Sequence, residues 1–81
     1  MQNKFKVQLN TIDRVKQFVK ICDSFDIDID LSDGIYTINA KSIMAIFSLD
    51  LIRPLNIYIH SQDSEIIERF NKEMSDFKYE H

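Results

Sequence analysis

The chain has 81 residues, room for one domain over 1–81 and too few for a deep enzyme pocket. Hydrophobic residues at 44% and charged residues at 28% place it among globular proteins, and a net charge of −3 argues against a general nucleic-acid field. One glycine excludes a glycine-rich phosphate loop, and one cysteine excludes an internal disulfide framework and suits a reducing cytoplasm. No apolar run reaches the length of a membrane span and no secretory signal is expected.

In chain order, residues 4–9 (KFKVQL) alternate polar and apolar and predict a strand with Phe5, Val7 and Leu9 inward. Asn10 or Thr11 then caps a helix whose apolar stripe is Ile12, Val15, Phe18, Val19, Cys22 and Phe25. Residues 26–31 (DIDIDL) alternate strictly, as a strand with one solvated face does. Ser32, Asp33 and Gly34 form a turn, and residues 35–40 return as the second arm of a hairpin. A short central helix follows Ser42 and ends near Leu49 and Asp50, before Pro54. Residues 55–60 predict a fourth strand. A last helix opens at 61–64, with a stripe of Ile66, Ile67, Phe70, Met74 and Phe77. The order βαββαβα, with four half-solvated strands and three helices on one face, is an α+β open-faced β-sandwich.

The central helix organises the rest. Ser42 is a good N-cap, because its hydroxyl can accept from a free N–H of the first turn. Ile46 and Leu49 project on one side, and Ile43, Met44 and Phe47 on another. A two-layer protein buries one such side, so the second is expected as a protein-binding surface. The alternative is that Ile43, Met44 and Phe47 are core.

The run Lys41-Ser42-Ile43-Met44, with Ser48 and Leu49 after it, resembles the second-helix signature of HPr, the histidine-containing phosphocarrier of the phosphoenolpyruvate sugar phosphotransferase system. The resemblance extends over nearly the whole chain. It implies a four-stranded antiparallel sheet of order 1-4-2-3 and a cytoplasmic bacterial protein. It also implies that the serine matching Ser42 is a regulatory phosphorylation site. Ile43, Met44 and Phe47 then match a docking surface for phosphotransferase-system enzymes, a serine kinase or a LacI-type transcriptional regulator.

The family's loop after the first strand carries a histidine that takes the phosphoryl group on Nδ1, and an arginine that clamps it. Aligned on the helix stripe, Thr11 stands at the histidine position, Asp13 at the arginine position and Arg14 at the proline that follows. The loop is about three residues shorter than the usual pattern. An aspartate would repel an incoming phosphoryl group. The resemblance therefore implies a degenerate member without the active-site histidine. It is then a regulatory, protein-binding homologue, as the family's catabolite-repression member is. Two other readings stay open: a carrier acting through another residue, or a small structural or antitoxin-like module that shares only the fold.

Elsewhere the plain reading is favoured. Asp26, Asp28, Asp30 and Asp33 lack the pattern of a calcium loop and read as a solvated strand face. Cys22 reads as a buried small hydrophobe. His60 reads as a lone surface histidine, and His81 is terminal. Tyr36 and Tyr58 read as packed strand residues. No nucleophile–base pair can be assembled, so no catalytic residue, metal, cofactor, small-molecule substrate, nucleic acid or membrane is expected.

Overall fold

The computed structural model describes residues 3–79 of the chain. His81 lies outside them. The elements are β1 (Lys4–Val7), α1 (Ile12–Asp23), β2 (Ile29–Ser32), β3 (Thr37–Asn39), α2 (Ile43–Ile46), β4 (Leu55–Ile59) and α3 (Ser64–Glu73). The strands form one antiparallel sheet of order β1-β4-β2-β3, the order the resemblance implies.

Strand alternation sets the two faces. Val7, Ile29, Leu31, Leu55, Ile57 and Ile59 are buried against the helices, with Phe5 and Ile38 half-buried beside them. From α1 come Val15, Phe18 and Cys22, and from α3 Ile67 and Phe70. Phe25 and Phe70 meet edge to face at 5.1 Å. Fully burying each such side chain contributes about 1.5–3 kcal/mol.

Several boundaries differ from the sequence reading. Ile12 is 62% exposed, so the stripe of α1 begins at Val15. The hairpin turn runs to Tyr36 rather than Gly34: Asp33 Oδ1 accepts from the N–H groups of Ile35 and Tyr36, both at 2.9 Å. Gly34 sits there at φ +97°, where a side chain would be strained. Tyr36 is exposed rather than packed. Met74 and Phe77 are buried as expected but follow α3 rather than belonging to it.

The tail adds a feature that periodicity does not encode. Gln8 N–H donates to Phe77 O at 2.8 Å, and Tyr79 N–H to Lys6 O at 2.9 Å. With the bridge between Val7 and Lys78, this segment covers the outer edge of β1. No described helix is long and apolar enough to cross a membrane.

Candidate functional site

The site is built on three adjoining pieces: α2, the loop from β1 into α1, and the loop from α2 into β4. Local hydrogen bonds hold α2 although it has only four helical residues. The Ser42 hydroxyl accepts from Ala45 N–H at 3.4 Å, a long cap. Asn39 Oδ1 accepts from Lys41 N–H at 2.8 Å, and Lys41 Nζ donates to Phe25 O at 2.7 Å. The Ser48 hydroxyl donates to Ala45 O at 2.6 Å and closes the far end.

Ile46 and Leu49 are buried, whereas Met44 is 79% and Phe47 43% exposed. Ile43 is half-buried and packs on the core, so its share in a free surface is smaller than projection suggested. Ser42 is exposed.

In the loop before α1, Thr11 is the N-cap and its Oγ1 accepts from Arg14 N–H at 3.2 Å. Asp13 is exposed in the first turn, where the helix dipole favours a carboxylate. Arg14 Nε donates to Gln8 O at 3.0 Å and Nη2 to Asp76 O at 2.9 Å, while its guanidinium lies 4.8 Å from the Phe77 ring centre. That cation ties Gln8 to Asp76 and is engaged from two sides.

Gln8 Nε2 donates to Ile52 O at 3.3 Å, which ties this loop to the one after α2. Ile52 is 84% exposed. The α1 and α2 helices contact each other. Ile12 and Ile52 thus join Met44 and Phe47 as large exposed apolar residues on adjoining elements. Sequence reasoning placed Ile12 in the core stripe and passed over Ile52; an isoleucine just before Arg53-Pro54 was the available signal.

His60 follows β4 at the end where Ile59 N–H bonds Asn3 O, opposite the end where Val7 pairs with Leu55. The whole sheet separates it from the α1 N-terminus. It is not a lone histidine: its Nε2 lies 2.6 Å from Asp30 Oδ2. Its ring meets Tyr58 edge to face at 4.3 Å. The strand register makes this pair, since Asp30 stands opposite Tyr58.

Among the described residues no three His, Cys, Asp or Glu side chains converge as metal ligands. Backbone N–H groups of Tyr36 and Ile35, then that of Asp50, hold the Asp33 carboxyl below the ordinary carboxylate range. Burial chiefly, then the charge of Asp23, pushes the Cys22 thiol up to about 12 against a weak opposing effect of Lys41. That is an inert thiol.

No family model and no curated protein matches the sequence. Solved structures do. The phosphocarrier protein HPr of Bacillus anthracis str. Ames is 27% identical over 90% of this chain and 94% of that one, with a TM-score of 0.64. HPr-C-His from Thermoanaerobacter tengcongensis is 23% identical over 90% and 84%, with a TM-score of 0.69. Crh, the catabolite repression protein of Bacillus subtilis, is described as a domain-swapped, intertwined dimer. It is 22% identical over 99% and 94%, with a TM-score of 0.62. The last two speak for the fold alone.

Proposed function

We propose that this chain, an HPr-like protein related to the phosphotransferase system, acts as a regulatory protein-binding module through the surface on α2 and carries no phosphoryl group on histidine. The observation that carries this reading is the exposure of Met44 and Phe47 beside Ser42 on a helix whose other side is buried. Methionine and phenylalanine suit adaptable, desolvated contacts. Thr11 as a cap, Asp13 at the clamp position and the engaged Arg14 support the loss of phosphocarrier chemistry.

In this reading 1–81 is one cytoplasmic domain. Its partners are proteins: phosphotransferase-system enzymes, an HPr-type serine kinase or a transcriptional regulator. Nucleic acid, membrane and small molecules are not. Ser42 is the candidate regulatory phosphorylation site. A phosphate there adds about −1.5 to −2 charges at an apolar surface, which a basic partner would read.

A carrier role through His60 is the second reading, favoured only by the ring's contact with Asp30. The test of the first is binding of the serine kinase, the first enzyme and the regulator to wild type, Ser42→Asp, Met44→Ser and Phe47→Ser. Binding by at least one of them that the Met44 and Phe47 variants weaken tenfold or more supports it. Binding unchanged in every variant, or no binding by any of the three, contradicts it.

A further inference from the structure

The face of the sheet turned away from the helices carries two level cross-strand rows. Lys4, Tyr58, Asp30 and Asn39 form one, and Lys6, Asn56, Ser32 and Thr37 the next. They overlook a shallow groove of about 660 Å³. Charge is divided across the face: positive on β1, negative on β2 at Asp30, with β4 as the midline between them. Lys4 Nζ lies 5.0 Å from the Tyr58 ring centre, so the cation leans toward that midline.

This layout is self-complementary under one symmetry operation. A twofold axis parallel to β4 and lying above the sheet brings a second copy face to face. The partner's β1 then lies over this copy's β2, with levels along the strands unchanged. Each Lys4 is thereby set against the partner's Asp30, and each Lys6 against the partner's Ser32, while the two Tyr58 rings meet at the axis. Sheets stacked in this way sit about 10 Å apart, a gap that lysine and aspartate side chains together span. A twofold axis across the strands would instead set β1 on β1, lysine over lysine.

We infer that this face docks a second copy of the chain, joined across the twofold by Lys4 and the partner's Asp30. His60 engages Oδ2 of Asp30, and a carboxylate has further acceptor capacity on Oδ1. Edge-to-edge association through β1 competes poorly, because residues 77–79 already cover that edge. Exposed ion pairs contribute little each, so the dimer is weak and sensitive to salt.

The test is sedimentation equilibrium of the full chain at rising concentration. At low salt the apparent mass should climb from 9.6 kDa toward twice that value. At about 1 M salt, where screening acts within roughly 3 Å, it should stay at one chain. Lys4→Glu and Asp30→Lys should each remain monomeric. Mixed in equal amounts they should associate again, because both contacts across the twofold then join opposite charges. Asp30→Asn, which keeps the side-chain shape and drops the charge, should weaken association by itself. A wild type monomeric at every concentration overturns the inference. So does a dimer that these variants leave intact, as an exchange of segments would give, and so does a mixture that stays monomeric.

Discussion

Arg14 donates from Nη2 to the backbone carbonyl of Asp76 at 2.9 Å, joining the start of α1 to the turn after α3 across 62 positions of sequence. Its Nε holds Gln8 O at 3.0 Å, so one guanidinium closes the loop before α1 and anchors the tail that covers β1. With the Phe77 ring 4.8 Å from the guanidinium, these bonds make Arg14 a structural clasp at the start of α1.

Arg14→Ala should therefore destabilise the fold by about 1–3 kcal/mol, since two carbonyls lose a charged donor and Phe77 loses a cation over its ring. Arg14→Lys should recover only part, because an ammonium cannot reproduce the planar fork. The urea midpoint of the three proteins checks this. Equal midpoints would show that the clasp contributes nothing.

Ile46→Ala should cost roughly 2–4 kcal/mol, the cost of a cavity in a packed core. Phe47→Ala should change the urea midpoint far less, although it removes a larger side chain, because the ring is 43% exposed. Similar losses from the two would mean that Phe47 is core.

Asp33 titrates lower in the folded protein than in the unfolded chain, because backbone N–H groups bind its ionised form. The unfolded state then binds more protons in that window, and stability falls as pH falls. Its contribution is complete above about pH 5 and fades as pH drops through the ordinary carboxylate value near 3.9 toward the lower folded value. Asp33→Asn keeps a carbonyl acceptor but no charge. Its deficit against wild type at neutral pH should close on acidification, and a deficit independent of pH would refute the assignment.

Cys22 has the opposite sign. The unfolded thiol ionises near 9.0 and the folded one at about 12, so the native state binds more protons between those values. Stability should fall through that window by up to about 1.4 kcal/mol per pH unit. Cys22→Ala should flatten the slope there, as denaturation curves at pH 8 to 11 would reveal. An unchanged slope would assign the alkaline loss to other groups.

Much of the fold was legible because the core is written in two simple periods. Alternation marked Val7, Ile29 and Leu31, and helical spacing marked Val15, Phe18 and Phe70. What stayed hidden is relational. Nothing in residues 74–79 announces that they pair with β1, because the pairing uses backbone groups that every residue has. The contact between His60 and Asp30 depends on strand order and register together. At the site, Met44 and Phe47 were readable from a short helix with apolar residues on both sides, Ile12 was misplaced by its fit to the α1 stripe, and the engagement of Arg14 needed the tail to be seen.

The most direct test is phosphotransfer itself. The protein is incubated with phosphoenolpyruvate and the first enzyme of the phosphotransferase system, then assayed by intact mass and for acid-labile phosphate. No phosphohistidine should form at His60 or His81, while an authentic HPr in the same tube is labelled. Stoichiometric acid-labile phosphate on His60 would contradict it, and would make the contact with Asp30 the centre of a carrier rather than a feature of the sheet.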